Sequence, residues 1–314
     1  MRLVSDVVGM PAGRAVAACQ EAGYEAIIER TAPPWPVREG APDDLQVVAA
    51  HLLEPALVQL LCADPAPARA PRKLPAHVAI ICDGNGRWAR SRGLSRHEGH
   101  RRGTENVRRT VDWCTEIGIP QVTFYALSTE NWRRPKDEVD GLMDLIAEGF
   151  QNSLQGLLES GVRLRVLGEI EALPPKVRDI VAQVTAATAA ATGTGVNLLI
   201  NYGGRADIVA AARAVAAAAA AGRLDPEDLD EAAFGQHLST SGLPDPDLII
   251  RTAGDLRLSN FLTWQSAYSE LHFTPVYWPA FSRGDFLTAL DDYGRRRRRF
   301  GGLDPGEQNC SARE

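Results

Sequence analysis

Asp83 heads the hexapeptide Asp83-Gly84-Asn85-Gly86-Arg87-Trp88, which brings a carboxylate, two glycines and a guanidinium together in one short stretch. Glycines let a backbone bend tightly and bring its N–H groups up to an anion. A helix beginning near Gly86 would point its positive end at the same anion. Arg87 adds a planar fork suited to phosphate oxygens. A carboxylate in this company repels phosphate unless a cation lies between them, and Mg2+ bridging a carboxylate and a diphosphate meets that need. Taken alone, D-G-N-G is equally a plain turn.

Other cationic positions carry the reading further. Arg96, His100, Arg134, Arg251 and Arg257 all fall in or just after comparable segments. Any one of them is adequately explained as an exposed arginine or an ordinary satisfied histidine. As a set with Arg87 they call for a strongly anionic ligand, and two diphosphates fit.

These residues need elements to position them. Apolar, β-rich runs recur at 77–82, 122–127, 162–167, 196–201 and 248–250, with helical stretches beginning near 103, 137, 174, 206 and 227. Such alternation predicts an α/β fold with a mostly parallel central sheet flanked by helices. Four of the runs lead straight into polar or glycine-rich clusters: 83–88, 128–132, 202–205 and 251–255. In parallel sheets ligands bind outside the carboxyl ends of the strands, so four clusters there predict one composite site. Between 140 and 158 the residues Met143, Ile146, Phe150, Leu154, Leu157 and Leu158 recur at helical spacing, which suits a core helix or the wall of a long hydrocarbon cleft.

The segment 64–75 is rich in proline and alanine and has the composition of a linker. Before it, 1–63 predicts a small α+β appendage: a strand, a helix at about 11–22, a strand at about 24–29, and two strands near 45–50 and 56–62. The run Asp6-Val-Val-Gly-Met10 followed by a helix and short strands resembles a PASTA module. A catalytic domain is expected over 76–302 and a flexible tail over 303–314.

The composition narrows the function classes. The 314 residues carry a formal net charge of −6, which gives no reason to expect nucleic acid as a partner. The five cysteines make no C-x-x-C pair, which argues against a disulfide framework or zinc site and suits a reducing cytoplasm. No apolar run reaches the ~20 residues that cross a bilayer, and the alanine-rich stretches 182–192 and 210–221 predict surface or packing helices.

The ordered motifs 77–89, Tyr125-Ala-Leu-Ser-Thr-Glu-Asn-Trp132 with Arg134-Pro135, Asn201-Tyr-Gly-Gly-Arg205, Asp247-Leu-Ile-Ile-Arg-Thr252, 257–270 and Arg298-Arg-Phe-Gly-Gly302 resemble those of cis-prenyltransferases, the family that includes undecaprenyl diphosphate synthase. The resemblance spans about 76–302. It implies chain elongation, in which isopentenyl diphosphate condenses with an allylic diphosphate to give a Z-polyprenyl diphosphate. It implies Asp83 and Glu270 as Mg2+ positions, the latter across a dimer interface, and hence a homodimer. Gly84, Asn85, Gly86, Arg87 and Arg96 would hold the allylic phosphates, with Trp88 beside that substrate and His100 near the diphosphates. Arg251, Arg257, Leu258 and Ser259 would bind isopentenyl diphosphate. Asn131 is the position treated as proton acceptor, and Ser128, Thr129, Glu130, Trp132 and Arg134 complete its wall. A lipid product implies peripheral contact with a membrane for an otherwise cytoplasmic protein.

Asparagine is a poor base near neutral pH, so the expectation is that Asn131 positions groups while diphosphate or water takes the proton. Cys82 stands where methionine is usual, Asp255-Leu256 where glutamate and a polar residue are common, and Pro275 where an acidic residue is typical. Asp43-Asp44 and Asp291-Asp292 lack the third aspartate of the D-D-x-x-D motif of trans-prenyltransferases. A phosphatase built on Asp83 would leave Arg251 and Arg257 unexplained. A non-catalytic partner subunit, or an enzyme making short or irregular terpene diphosphates, stays open. Product length would depend on the cleft floor near Ala126, Ile146, Phe150 and 194–200, where Thr194 and Gly195 are small.

Overall fold

The structure is a computed structural model of the chain and describes residues 12–21, 25–30, 46–54, 57–63 and 73–296. It divides into two compact units, Met1–Arg72 and Lys73–Glu314. The first strand expected before residue 11, most of the 64–75 linker, and the tail from 297 onward lie outside the described residues.

In the first unit, α1 (Ala12–Glu21) precedes β1 (Glu25–Arg30), β2 (Gln46–Glu54) and β3 (Leu57–Ala63). The sheet order is β1-β3-β2, with β1 and β3 parallel and β2 and β3 antiparallel. These elements follow the sequence expectation to within a few residues.

The second unit is built on β4 (His77–Ile81), β5 (Gln121–Ser128), β6 (Arg163–Leu167), β7 (Gly195–Tyr202), β8 (Leu248–Arg251) and β9 (Glu270–Phe273). Their order is β6-β7-β5-β4-β8-β9, and every pairing is parallel. Central β4 is buried along its whole length, as a strand covered on both faces must be. One face of the sheet, through Val78, Ile80, Val122, Phe124 and Val196, joins the larger core. The other, through Ala79, Ile81, Tyr125 and Leu199, packs on Phe261 and Leu262. Strand β9 was not foreseen, because its four residues, Glu-Leu-His-Phe, carry too little apolar pattern to announce a strand.

The helices are α2 (Asn85–Arg90), α3 (Arg96–Ile117), α4 (Lys136–Glu159), α5 (Pro175–Thr188), α6 (Gly204–Ala220), α7 (Glu231–Gly235) and α8 (Arg283–Arg295). Helix α3 starts well before the expected position near 103. Ser95 caps it by accepting from the Glu98 N–H at 3.2 Å, an S-x-x-E start that explains the earlier boundary. The helix expected near 227 is the short α7, which begins at Glu231. The alanine-rich stretches end α5 and form most of α6, and among the described residues no helix is long and apolar enough to cross a membrane.

Candidate active site

Parallel registers align the carboxyl ends of the strands: Ile81 pairs with both Tyr125 and Arg251, and Ser128 with Tyr202. The four clusters foreseen after β4, β5, β7 and β8 therefore lie along one edge of the sheet. Immediately after Asp83 the chain turns through Gly84 at φ 102°, where a side chain would meet Tyr277 at 2.8 Å and Ala253 at 2.9 Å. The Asp83 carbonyl accepts from the Thr252 hydroxyl (2.7 Å) and the Trp278 N–H (2.9 Å), which fixes the turn.

Asp83 Oδ2 accepts from Arg251 Nη2 at 2.9 Å; Oδ1 accepts from the Gly84 N–H at 2.7 Å and lies 3.4 Å from Arg87 Nη2. The Arg251 side chain is only 4% exposed. Its Nη1 donates to Ser259 Oγ at 2.7 Å and to the Arg257 carbonyl, while its buried Nε has no partner. An orphaned guanidinium N–H at a polar opening is a place for an acceptor oxygen.

Two carboxylates gather the arginines. Asp255 accepts from Arg87 Nη2 (3.0 Å) and Arg257 Nη1 (2.9 Å) and lies 3.6 Å from Arg251 Nη2. Burial alone would raise the Asp255 pKa, but Arg257 and Arg87 outweigh it and hold the carboxyl below its usual range. Burial works against Arg87 too, and the neighbouring Asp83 and Asp255 carry its pKa above the usual value. Glu138 accepts from Arg96 Nη1 and Arg134 Nη1, both at 3.0 Å, and lies 3.9 Å from His100 Nε2. Desolvation, reinforced by the Arg134 charge, lowers the His100 pKa to about 4, so the ring is neutral and its Nε2 is buried without a partner.

The turn after β5, Thr129–Arg133, is a single stretch of 3₁₀ helix. Asn131 Oδ1 accepts from the Ser128 N–H at 3.1 Å, completing a capping box. Its amide oxygen is thus engaged in holding the turn. Trp132 donates its indole N–H to Asn201 Oδ1 at 2.6 Å, and Glu130 accepts from Asn260 Nδ2 at 2.9 Å.

A polar pocket of about 250 Å3 is lined by Asp83, Gly84, Asn85, Gly86, Arg87, Arg96, His100, Ser128, Asn131, Arg134, Arg251 and Ser259. It shares Cys82, Asn85, His100, Ala126 and Leu142 with an apolar cleft of about 460 Å3 between the sheet, α3 and α4. Ile146, Phe150 and Leu157 line that cleft, Met143 is buried in the core beside it, and Leu158 is exposed. The apolar stripe of α4 therefore serves both as core and as cleft wall. Thr194 and Gly195 do not form its floor. Thr194 bonds to Thr115 and to the Ile119 carbonyl, and a side chain at Gly195 would strike Gln121 Oε1 at 2.2 Å, so their small size serves packing at the opposite strand edge.

Other expected positions stand apart from this pocket. Trp88 is buried on α2 beneath the Arg92 guanidinium, 4.6 Å away. Thr129, Trp132 and Arg257 do not line the pocket, and Glu130 and Leu258 line a separate depression with Arg205 and Asn260. Glu270 opens β9 opposite Leu248, whereas the site lies beyond Arg251 and Phe273. Three residues of strand put it roughly 10 Å down the sheet, and it pairs with Arg296 at 2.9 Å. Within one chain Glu270 and Asp83 do not meet.

Among the described residues no three His, Cys, Asp or Glu side chains group to hold a metal ion. A lone pocket carboxylate is nevertheless the donor set expected for Mg2+, which keeps waters and binds one or two carboxylates plus substrate phosphates. The sequence assigned no site role to Asp255, Glu138, Asn201 or Asn260. Glu138 lies four residues after Arg134 and Asp255 four after Arg251, a spacing that could have flagged both carboxylates. The two asparagines join partners remote in sequence and had no local signal.

A family profile described as putative undecaprenyl diphosphate synthase matches residues 81–301. The chain belongs to that family. It is 49% identical over 233 residues to the isoprenyl transferase of Heliobacterium mobile, covering 74% of this chain and 90% of the relative. It is 48% identical over 228 residues to a (2E,6E)-farnesyl-diphosphate-specific ditrans,polycis-undecaprenyl-diphosphate synthase of Xanthomonas axonopodis pv. citri, covering 73% and 89%. Among solved structures it resembles lavandulyl diphosphate synthase from Lavandula x intermedia in complex with dimethylallyl diphosphate, with TM-score 0.71 and 41% identity over 73% of this chain and 98% of that one. The family match begins at residue 81, after the Met1–Arg72 unit.

Proposed function

We propose that this chain elongates prenyl chains in the cis sense, joining isopentenyl diphosphate to an allylic diphosphate. The carrying observation is the continuity of an arginine-lined polar pocket with an apolar cleft through Cys82, Asn85, His100, Ala126 and Leu142. That shape suits an amphiphile with a diphosphate head and a hydrocarbon tail.

The allylic C–O bond breaks and its electron pair leaves on the diphosphate. The isopentenyl double bond then attacks the allylic carbon, which leaves a tertiary cation on the isopentenyl unit, and a proton is lost from the carbon next to that cation as a new double bond forms. Groups that meet the charge growing on the leaving oxygens stabilise the transition state more than the ground state. In this reading Arg87 and Arg96 would meet the allylic head, and Arg251 with Ser259 the isopentenyl head. Bound Mg2+, held by Asp83 and the phosphates, would supply further Lewis-acid stabilisation of the leaving group. Asn131 is assigned to holding the turn, which leaves the proton to diphosphate or water. Glu270 would join a metal site only from a second copy, in keeping with a homodimer. The lipid product supports a cytoplasmic protein that touches the membrane peripherally. For the Met1–Arg72 unit we propose an accessory role as a small PASTA-like binding module, supported by its helix and three strands.

The deciding experiment incubates the protein with Mg2+, isopentenyl diphosphate and allylic primers of several lengths, then sizes the products and determines their double-bond geometry. Products grown by successive Z-isoprene units are expected. Primers returned unextended, or coupled irregularly, would sink the reading.

Proton linkage offers a second check. Free His100 is neutral above about pH 4, and a diphosphate bound among Arg96, Arg134 and Glu138 favours the charged ring and raises that value. Binding inorganic diphosphate should therefore draw more protons into the parent than into a His100→Gln variant at about pH 6, and the difference should vanish at about pH 8.5. Titration calorimetry in buffers of different ionisation enthalpy measures the uptake. The same uptake in both proteins at about pH 6 would refute the linkage.

A further inference from the structure

Asn260, in the loop that leaves β8, touches the segments that leave two other strands, β5 and β7. Its Oδ1 accepts from the Arg205 N–H at 2.8 Å, its Nδ2 donates to Glu130 Oε1 at 2.9 Å, and its carbonyl accepts from the Gly204 N–H at 2.7 Å. The neighbouring Ser259 accepts from Arg251 Nη1 at 2.7 Å. One peptide link therefore connects the arginine fork of the pocket to the turn that carries Asn131. The meeting is close: a side chain at Gly203 would sit 2.7 Å from Thr129 Oγ1 and 2.8 Å from Asn260 Nδ2.

The backbone here is held in costly conformations. Ser259, Asn260 and Leu262 have φ of 51°, 65° and 42°, and Ala253 at the head of the loop has 74°. Non-glycine residues occupy the left-handed region only against a steric penalty, with asparagine the most tolerant. Such a cluster persists where the surroundings over-determine it. The three bonds of Asn260 are that determination. A packing role alone would have been met by an apolar contact; both ends of this amide are instead used, and on different loops.

We propose that Asn260 is a positioning residue that couples the Arg251–Ser259 loop to the Thr129–Arg133 turn, so that filling the isopentenyl diphosphate subsite sets the turn beside the allylic site. The inference rests on the diphosphate reading above and goes beyond it by naming what ties the two subsites together.

Asn260→Asp tests it. Aspartate tolerates the same φ and keeps the acceptor for Arg205, but it turns the donor facing Glu130 into an oxygen. Two carboxylates at hydrogen-bonding distance cannot both stay charged without repulsion. The KM for isopentenyl diphosphate should rise roughly tenfold, the effect of losing one well-placed bond and gaining that repulsion. The defect should shrink as pH falls and the pair takes up a shared proton. Adding Glu130→Gln supplies an amide that donates to the new carboxylate, and most of the KM should return. Asn260→Gly accepts φ 65° and lacks the side chain, so it serves if the aspartate variant does not fold; its KM should rise without the pH dependence. An unchanged KM in a folded single variant, or no recovery in the double variant, would overturn the proposal. Thermal denaturation of the parent, Asn260→Asp, Glu130→Gln and the double variant, a complete cycle, reads the contact without turnover. If the parent fails to extend any primer while the cycle still shows coupling, it is the function reading that has failed.

Discussion

Asp83→Ala is expected to lower kcat/KM by about 10³-fold, the scale on which single electrostatic stabilisers act in enzymes. Asp83 is the carboxylate that lines the polar pocket; Asp255 and Glu138 stand behind it, tied to arginines. Removing it takes away the side chain proposed above to hold Mg2+ against a departing diphosphate. It also leaves the buried Arg251 with one carboxylate, the more distant Asp255 at 3.6 Å, beside its bonds to Ser259 and the Arg257 carbonyl. Because Asp83 is a third exposed, the loss of that ion pair should cost no more than about 1 kcal/mol of stability. Activity and folding should therefore separate: a protein with near-parental Tm that scarcely turns over. Asp83→Asn keeps the shape and removes the charge, so it should be nearly as impaired. Steady-state rates across a Mg2+ titration provide the measurement, and an Asp83→Ala enzyme within threefold of the parent would refute the assignment.

The second large effect is at Arg251. Its two terminal nitrogens face different groups, one Asp83 and the other Ser259 and the Arg257 carbonyl. A lysine keeps the charge but has no planar fork, so it cannot serve both sides at once. Arg251→Lys should cost about 10²-fold in kcat/KM. The loss should fall mainly on isopentenyl diphosphate, because the proposed reading assigns Ser259 to that subsite. A variant whose KM rises equally for both substrates would show that Arg251 acts through general charge and not through its geometry.

The parts legible in the sequence share a physical cause. Buried parallel strands are continuous apolar runs, so five of the six strands of the larger sheet stood out. Their ends stood out because a turn that must approach an anion needs glycine, and diphosphate needs arginine. Strand β9 stayed hidden because an edge strand of four mixed residues has no pattern to detect. Glu138 and Asp255 stayed hidden because a carboxylate four residues from an arginine is common on any solvated helix or loop. Asn260 and Glu130 lie 130 residues apart, and only the fold reveals that they touch. The open alternatives for α4 resolved into both, since one helix face can be packed over part of its length and line a cavity over another.

The two carboxylates that gather the arginines also bear on which ions this site ignores. Arg87, Arg251 and Arg257 are already matched by Asp83 and Asp255, and Arg96 and Arg134 by Glu138. With three carboxylates among five arginines, the site presents a much smaller positive field to solution than the arginines alone would. A chloride or a single phosphate gains too little to displace those internal partners, and competes with them as much as with water. A diphosphate brings several charged oxygens to several arginines at once and offsets the exchange. Inhibition by simple salts should accordingly be weak, and discrimination among cellular anions follows from how many oxygens arrive together, more than from the strength of any one contact.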